Sequence, residues 1–482
     1  MEPQGVLGRT RHIHFVGIGG IGMSGIAELL ARLGYQVSGS DLKRSEITDR
    51  LERELGVAVA EGHDGGNLGA ADVVVVSSAV RPDNPEILEA RRRAIPVIPR
   101  AEMQAELMRL RYSIAVAGAH GKTTTTSMIA LVLERAGLDP TAIIGGRLSA
   151  FGSNARLGQG QYVVAEADES DRSFLRYSPT IAVVTNVDHE HLENYRGFDD
   201  LCQAFVDFAN KVPFYGAVVA CADDPWLRSL LPRMTRRVVG YGFEDPAADL
   251  RGVDPRLGPA GGTCTVVRRP KDGGDRGGRE TFEGGLTLHV PGRHNLLNAL
   301  AATAVGFELG IAFPRIASAL EEFRGAERRF QTRGEAAGVL VVDDYGHHPT
   351  EIAAVVEAAR SAYDRRLLVV FQPHRYTRTK MLMERFGPAL AGADEIVLTD
   401  IYAASEDPIP GATIEALAQA IRAAVRGPVH VVKSVDEVPA AVAALARRGD
   451  LVVTLGAGSI GRAGDAILVE LRRRERPEAG GA

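Results

Sequence analysis

Short apolar runs alternate with longer amphipathic stretches along most of this chain, and this alternation limits the folds that the chain can adopt. The runs include HIHFVG near the start, SIAVAG at residues 113–118 and VLVVDDYG at residues 339–346. Apolar runs of this kind are typical of strands, and the amphipathic stretches between them are typical of crossover helices. The pattern therefore predicts an α/β fold with parallel sheets.

The length divides this pattern into three blocks. The chain has 482 residues, and a domain holds roughly 150 residues, which predicts about three domains. We expect a Rossmann-like domain at 1–112, a central P-loop ATPase-like domain at 113–329 and a second Rossmann-like domain at 330–482. Within the central block, residues 265–290 resemble a β-hairpin with a polar, glycine-rich tip. Ligands of such folds bind at the carboxyl ends of the strands, in clefts between domains.

Composition indicates where the protein works. The net charge is −5, so no bulk basic field is available to hold nucleic acid. The three cysteines form no C-x-x-C pair, and neither a secretory signal nor an apolar run of about 18 residues occurs. These features predict a cytoplasmic protein without nucleic-acid or membrane partners.

A glycine turn follows the first predicted strand. Residues 17–22 read GIGGIG, which fits G-x-G-x-x-G, and Asp41 ends the next predicted strand. Glycines let backbone amides approach a diphosphate at a helix N-terminus, and an acidic residue can bind ribose hydroxyls. NAD is one such ligand, but residues 456–461 match the same pattern, where we expect only a tight turn. The first match therefore predicts a diphosphate ligand of open identity.

A P-loop follows the strand at 113–117. Residues 118–124 read GAHGKTT, two residues shorter than G-x-x-x-x-G-K-[ST]. Backbone amides would cradle phosphates, Lys122 would meet the β/γ oxygens, and Thr123 would offer a hydroxyl to Mg²⁺. The chain is therefore predicted to bind ATP or GTP. With a separate diphosphate site, it reads as a nucleotide-driven enzyme that acts on a nucleotide-linked substrate.

Further polar clusters follow later strands. Residues 166–171 and 186–191 carry carboxylates and histidines near the P-loop, where Mg²⁺ is favoured over zinc because oxygen ligands dominate. Residues 343–349 and 371–378 gather His, Arg and Tyr, which suits an anion such as a carboxylate. Asn295, in the Pro-Gly turn at 291–298, could read an adenine edge or simply begin a helix. Any single acid could instead be a solvated loop charge.

The ordered motifs resemble the Mur ligase family. GIGGIGMSGIA, GAHGKTTT, AEADESD, TNVDHEHLE, PGRHNLLNA, RRF, DDYGHHPTE and FQPHRYTR appear in that order, and the similarity runs from about residue 11 to 461. GMSGIA and DDYGHHPTE are typical of the member that adds L-alanine. The resemblance implies ATP-dependent ligation of L-alanine to the lactyl carboxylate of UDP-N-acetylmuramate through an acyl phosphate, in peptidoglycan precursor synthesis. Since the sites lie on three domains, domain closure would assemble them.

The resemblance also implies site residues. UDP-sugar contacts would be Gly17, Gly19, Gly20, Ile21, Gly22, Asp41, His63, Ser77 and Ser78. ATP contacts would be Gly118, Ala119, His120, Gly121, Lys122, Thr123, Thr124, His294, Asn295, Asn298, Arg329 and Asp344. Amino-acid contacts would be Tyr345, His347, His374, Arg375 and Arg378. Ligands of two Mg²⁺ ions would be Thr123 and Glu166 for one and His191 for the other. Catalysis would depend on Lys122, Glu166, His191, Arg329, His347 and Arg378.

Three other functions are compatible with part of this pattern. An NAD-dependent oxidoreductase would use the first glycine turn but would leave the P-loop unexplained. A regulatory P-loop ATPase would hydrolyse nucleotide without an amino acid, and a sister ligase would add a peptide instead of alanine. The expected partners are the three substrates, and the expected oligomeric state is a monomer or a weak homodimer.

Overall fold

The computed structural model describes residues 7–77, 79–109, 111–144, 155–190, 192–259, 261–269, 280–404 and 406–475. The chain divides into two compact units. One comprises Met1–Asp254, Thr265–Leu286 and Leu297–Phe323, and the other comprises Pro255–Cys264, Thr287–Leu296 and Arg324–Ala482. Within the described residues, none of the helices combines the length and the apolar character needed to cross a membrane.

The first sheet is parallel and has five strands in the order β3-β2-β1-β4-β5. Its strands are β1 His12–Val16, β2 Gln36–Asp41, β3 Ala58–Glu61, β4 Val73–Val76 and β5 Val97–Pro99. Its helices are α1 Ile21–Arg32, α2 Glu46–Leu55, α3 Pro85–Arg92 and α4 Arg100–Arg109. Because the strand order reverses on either side of β1, the carboxyl end of β1 is the switch point where such sheets bind ligands.

Local sequence explains where these helices begin and end. Ser45 accepts a hydrogen bond from the Thr48 backbone and completes a capping box before α2, and Gly56 ends α2 in the left-handed conformation. Asn84 caps the backbone N–H of Glu86, and Pro85 occupies the first position of α3. Ser45 and Asn84 accept from free backbone N–H groups, and Gly56 allows the left-handed turn that ends a helix. Pro85 has no N–H that would need a partner.

The second sheet has ten strands in the order β15-β14-β13-β12-β11-β10-β6-β9-β7-β8. Its strands are β6 Tyr112–Ala117, β7 Thr141–Ile143, β8 Ala155–Arg156, β9 Tyr162–Glu166, β10 Ile181–Val184, β11 Ala217–Cys221, β12 Val238–Gly242, β13 Leu250–Gly258, β14 Gly261–Arg268 and β15 Thr281–Leu288. Its helices are α5 Lys122–Arg135, α6 Phe198–Asn210, α7 Pro225–Leu230, α8 Arg293–Glu308 and α9 Phe313–Glu321. The predicted hairpin corresponds to β14 and β15, and most of its glycine-rich tip, residues 270–279, lies outside the described residues.

The third sheet has six strands in the order β16-β17-β21-β18-β19-β20. Its strands are β16 Gln331–Ala336, β17 Val339–Asp344, β18 Leu367–Phe371, β19 Glu395–Leu398, β20 Val429–Val431 and β21 Leu451–Leu455. Its helices are α10 Pro349–Ala362, α11 Tyr376–Met381, α12 Met383–Leu390, α13 Ile414–Ala424, α14 Val438–Leu445 and α15 Ala463–Glu475. Strand β16, a polar edge strand that pairs antiparallel with β17, was not expected from the sequence.

Helices cover both faces of the third sheet. Neighbouring residues of β17 lie in different core clusters, since Val342 packs with Phe371 and Leu390 whereas Val341 packs with Val370 and Ile467. Successive side chains of a strand point to opposite faces, so both faces are buried. This explains why the strands read as continuous apolar runs, and the predicted three-part α/β fold is confirmed.

Gly39 of β2 tests how tightly the first sheet packs below the glycine turn. A Cβ atom at this position would lie 2.6 Å from Ile18 Cδ1 and 2.7 Å from the Phe15 carbonyl oxygen. We expect Gly39→Ala to lower the free energy of unfolding by roughly 1–3 kcal/mol, because the backbone must shift. Gly285→Ala is the control, since a Cβ there meets nothing within 4 Å. Equal thermal unfolding curves for the two variants would contradict this packing.

Candidate functional site

The first glycine turn is held by the end of β2. The backbone N–H groups of Gly17 and Ile18 donate to the Ser40 carbonyl oxygen at 2.8 and 3.0 Å. Gly19 N–H donates to Asp41 Oδ2 at 2.8 Å. A Cβ on Gly19 would lie 2.9 Å from that same oxygen, so a side chain at this position would crowd the Asp41 carboxylate. The turn is therefore shaped by its neighbouring strand.

Helix α1 begins directly after this turn. Gly20 is its N-cap and Ile21 its first residue, and no side chain among the described residues caps it. The first N–H groups of a helix without a cap are suited to bind an anion. Gly22 lies against Arg100 of α4, since a Cβ there would be 3.0 Å from the guanidinium. Backbone amides and an arginine thus meet at one point.

Other predicted UDP-sugar residues lie at the same edge of the first sheet. The residue before His63 is bonded to β2, since Gly62 N–H donates to the Asp41 carbonyl oxygen at 2.7 Å. Ser77 follows β4, and a Cβ on Gly17 would lie 3.3 Å from Ser77 Cβ. Ser78 is outside the described residues.

The P-loop is shaped by the end of β10. Gly118 and Gly121 have positive φ angles of 137° and 80°. His120 is bonded on both sides of its peptide: its N–H donates to Asn186 Oδ1 at 2.8 Å, and its carbonyl oxygen accepts from Asn186 Nδ2 and Thr185 Oγ1 at 3.0 and 2.6 Å. These hydrogen bonds hold the loop against the end of β10.

Lys122 begins α5 and turns back into the loop. Its ammonium group donates to the carbonyl oxygens of Gly118 and Ala119 at 2.6 and 3.1 Å, and to Glu169 at 2.9 Å. Burial would lower the pKa of Lys122, but the carboxylates of Glu169 and Asp168 outweigh it and raise the pKa. The lysine therefore stays charged although only 18% of its side chain is exposed.

The other carboxylate next to Lys122 is also ionised. Burial opposes ionisation of Asp168, but the Lys122 charge and hydrogen bonds from Ser170 outweigh it, so the pKa of Asp168 is lowered. Ser170 N–H donates to Asp168 Oδ1 at 3.0 Å. Glu166 ends β9, the strand beside β6, where it pairs in register with Val116. Thr123 and Thr124 follow Lys122 in the first turn of α5.

One cavity joins the two glycine turns. It has a volume of about 110 Å³ and is lined by Gly22, Arg100, Gln104, Lys122, Ile143, Ile144, Glu166 and Asp168. Gln104 of α4 donates to the Glu166 carbonyl oxygen at 3.1 Å. This bond links a helix of the first sheet to β9 of the second sheet beside the cavity. The helix after the first turn and the lysine of the P-loop therefore face the same space.

The predicted adenine residues lie at the start of α8. Asn295 is buried, and its Nδ2 donates to the Pro291 carbonyl oxygen at 2.6 Å. His294 lies against Gly292, where a Cβ would be 2.6 Å from the imidazole ring. Asn298 lies against the P-loop, because a Cβ on Gly121 would be 2.7 Å from Asn298 Oδ1. Asn298 thus reaches the P-loop directly, whereas the amide of Asn295 bonds its own turn.

The C-terminal unit gathers four of the five predicted amino-acid contacts by direct contact. The ring centroids of Tyr345 and His347 are 5.6 Å apart, and those of His347 and His374 are 5.5 Å apart. Arg378 Nη1 lies 3.4 Å from His374 Nδ1, so this nitrogen accepts and the ring is neutral. Arg375 precedes α11 with a φ of 69°. The arrangement places two guanidinium groups beside a neutral imidazole.

Arg329 and Asp344 lie beside this group. The Arg329 guanidinium is 5.4 Å from the centre of the Tyr345 ring. Asp344 accepts hydrogen bonds from the N–H groups of Phe330 and Gly346, each at 2.6 Å. Burial raises the pKa of Asp344 to about 6, although Arg329 and these bonds oppose the rise. Asp344 thus braces the loop that carries Tyr345.

The structure also identifies residues that the sequence did not single out. Glu169 binds Lys122, Asn186 braces the P-loop, and Glu351 accepts from the His347 N–H at 3.0 Å. All three lie inside the quoted motifs, but a motif does not show which of several polar residues makes the contact. His191 is outside the described residues. His189, which with His191 would have been a ligand in the zinc alternative, stacks on Phe198 with ring centroids 3.6 Å apart.

His374 gives the C-terminal unit a testable pH dependence. Burial, followed by the charges of His347, Arg378 and Arg375, lowers the pKa of His374 from 6.5 to about 3. The unfolded chain takes up this proton near pH 6.5 and the folded chain only near pH 3, so stability falls as the pH drops through this window.

We expect His374→Asn to reduce the loss of stability on acidification. Between pH 7 and pH 4, the free energy of unfolding should fall less than in the wild type, by on the order of 1 kcal/mol after discounting for partial solvent screening. Urea unfolding at pH 7, 5.5 and 4 measures this difference. Identical pH dependence of the two proteins would show that His374 is not held neutral.

The P-loop and the first glycine turn face one cavity, and each follows a strand of a sheet that is covered by helices. These features define a nucleotide-binding α/β protein. Family models identify it further. The Mur ligase family catalytic domain matches residues 12–112, the Mur ligase middle domain matches 116–306, and the Mur ligase glutamate ligase domain matches 328–458. The chain belongs to the Mur ligase family, as the motifs predicted.

Named relatives are similar over nearly the whole chain. The UDP-N-acetylmuramate–L-alanine ligase of Anaeromyxobacter dehalogenans is 55% identical, covering 96% of this chain and 99% of its own. The structure of the UDP-N-acetylmuramate-alanine ligase of Thermotoga maritima matches with a TM-score of 0.80 at 30% identity, over 97% of this chain and 100% of that one. A murein peptide ligase of Psychrobacter arcticus matches with a TM-score of 0.70 at 26% identity, over 96% and 99%.

Proposed function

We propose that this protein is an ATP-dependent ligase that joins L-alanine to the lactyl carboxylate of UDP-N-acetylmuramate during peptidoglycan precursor synthesis. The observation that carries the proposal is the cavity shared by Gly22 and Lys122. A UDP-sugar held at the first turn would place its carboxylate near an ATP held at the P-loop. The names of the relatives support the same activity.

The first chemical step is transfer of a phosphoryl group. The lactyl carboxylate attacks the γ-phosphorus of ATP, the bond to the β-phosphate oxygen breaks, and an acyl phosphate and ADP form. Lys122 is suited to this step because its charge is retained in a buried site, where it stabilises developing negative charge more strongly than in water. Phosphate oxygens would take the position on Lys122 that Glu169 holds.

The second step forms the amide bond. The amine of alanine attacks the acyl phosphate, a tetrahedral intermediate forms, and its collapse releases phosphate. Arg375 and Arg378 would hold the alanine carboxylate and so orient the amine. A neutral His374 beside them leaves their positive charge available to the substrate. We propose two further catalytic groups. Arg329 would neutralise charge on the transferred phosphate, and His347 would act beside the incoming alanine.

The residues present suit a magnesium ion. Thr123 and Glu166 would hold it, since hydroxyl and carboxylate oxygens are the ligands that Mg²⁺ prefers. Glu166 lines the same cavity as Lys122. When bound, the ion would neutralise phosphate charge. A second ion at His191 stays a prediction, as do the domain boundaries at 112/113 and 329/330 and the monomer or weak homodimer.

We further propose that the protein works in the cytoplasm. Cys202, Cys221 and Cys264 are all free and buried. Unpaired thiols are typical of proteins in reducing compartments.

Lys122→Ala should separate catalysis from binding of the UDP-sugar. We expect kcat to fall by roughly 10³-fold or more, because the transferred phosphoryl group loses its buried counter-charge. The dissociation constant for UDP-N-acetylmuramate, measured by calorimetry without ATP, should change by less than about twofold. Lys433→Ala is the matched control, since Lys433 is an exposed lysine paired with Glu415. Turnover of the Lys122 variant near the wild-type rate would contradict the assignment.

Phosphate release across a panel of acceptors tests the reaction itself. With ATP, Mg²⁺ and UDP-N-acetylmuramate, we expect release to depend on an added amino acid and to be fastest with L-alanine. Glycine, which lacks one methyl group, should have a kcat/KM lower by roughly 10- to 200-fold. Release without any amino acid would favour a regulatory ATPase. Faster release with a murein peptide than with alanine would favour the sister ligase.

A further inference from the structure

A set of buried polar side chains is connected by hydrogen bonds in the first sheet, near the residues proposed to bind the UDP-sugar. His12 Nε2 and His14 Nδ1 each lie 2.8 Å from Ser38 Oγ. The other nitrogen of the His14 ring, Nε2, lies 3.4 Å from Glu86 Oε2. A carboxylate accepts hydrogen bonds only, so His14 donates to Glu86 through Nε2. None of these groups was singled out from the sequence.

Glu86 is the centre of this set. Its side chain is fully buried in the first turn of α3. It accepts from Ser40 Oγ at 2.6 Å and from Asn67 Nδ2 at 2.6 Å. Burial opposes ionisation of Glu86, but the hydrogen bonds that it accepts outweigh burial and lower the pKa. Glu86 is therefore a buried carboxylate held charged by its donors.

The Ser40 side chain connects Glu86 to His63 by hydrogen bonds. The Ser40 hydroxyl has one proton, which it gives to Glu86, so the Ser40 oxygen accepts from His63 Nδ1 at 3.0 Å. The His63 ring thus carries its proton on Nδ1, and its plane is fixed by the bond. With 14% of its side chain exposed, His63 is accessible at the edge of the sheet while it is anchored from below.

The same serine also shapes the glycine turn. Its carbonyl oxygen accepts the N–H groups of Gly17 and Ile18. Asn67 and the backbone N–H of Asp64 bond Glu86 Oε1, at 2.6 and 3.3 Å. Glu86 thus anchors the segment that follows His63, and Ser40 joins His63 to the turn. A buried charge with this many donors is costly to build, and its contacts lead to two elements of the proposed UDP-sugar site.

We propose that Glu86 and Ser40 are positioning residues for the UDP-sugar, which act by fixing the orientation and the protonated nitrogen of His63. This inference rests on the proposed function, because it takes His63 as a contact of UDP-N-acetylmuramate. The Glu86 side chain is fully buried, and its Oε2 lies 3.7 Å from His63 Nδ1. The effect on binding that we propose passes through His63.

Glu86→Gln keeps the shape of the side chain and removes its charge. We expect the dissociation constant for UDP-N-acetylmuramate, measured by calorimetry without ATP, to rise by roughly 10- to 100-fold, because the ring loses its fixed orientation. The KM for ATP should stay within about twofold, since the P-loop lies on another sheet. Glu89→Gln is the matched control: Glu89 lies on the same helix but pairs with Arg92 near the surface.

A double-mutant cycle with His63→Ala distinguishes positioning from general support of the fold. If Glu86 acts through His63, Glu86→Gln should have little further effect on the dissociation constant once His63 is alanine. An equal effect in both backgrounds, or no effect of Glu86→Gln alone, would overturn the inference.

Ser40→Ala provides a second route if the glutamine variant does not fold. It removes the hydroxyl that joins Glu86 to His63 and leaves the backbone contacts of Ser40 in place. We expect weaker UDP-sugar binding that again depends on His63, and additivity with His63→Ala would overturn the inference. No binding of UDP-N-acetylmuramate to the wild type would overturn the proposed function and this inference together, whereas binding with an additive cycle overturns the inference alone.

Discussion

The ion pair between Lys122 and Glu169 is the interaction on which the catalytic region depends. An ammonium group buried without a partner would lose its proton or destabilise the fold. Here two loop carbonyls and Glu169 hold it charged and in place. Gly118 and Gly121, both with positive φ angles, shape the loop that carries these carbonyls. The lysine thus organises the loop, and the loop in turn keeps the lysine charged before any phosphate binds.

The two glycine turns are built by the same device. Each turn follows a strand, and the end of the neighbouring strand fixes it: Ser40 and Asp41 for the first, Thr185 and Asn186 for the second. In a parallel sheet, the carboxyl ends of adjacent strands meet at one edge, so such contacts arise from the topology. Each turn is therefore held in shape by hydrogen bonds with the end of the neighbouring strand.

The sequence predicts those elements that a local residue pattern controls. Apolar runs located the parallel strands, because strands buried on both faces need no polar alternation. Strand β16 was not expected from this pattern, since QTRGEA is a polar edge strand whose pairing with β17 is set by tertiary contact. Within AEADESD the sequence does not identify Glu169 as the partner of Lys122, because that choice depends on the path of the chain after β9. Of the predicted site residues, Gly22, Lys122 and Glu166 line one cavity, and Tyr345, His347, His374 and Arg378 are in contact in the C-terminal unit. Ser78 and His191 lie outside the described residues.

Glu86 shows the same limit more sharply. An acidic residue in the first turn of a helix normally interacts with the helix dipole at the surface, and PEILEARR gives no other signal. Only the fold places His14, Ser40 and Asn67 around it. The buried Glu86 carboxylate near the first glycine turn and the Lys122 ammonium of the P-loop are charges of opposite sign. Each is held in place by the hydrogen-bond partners around it. A chain with a net charge of −5 has no bulk basic field, so the anionic ligands that we propose for it would be held by locally oriented amides and single charges rather than by a basic surface.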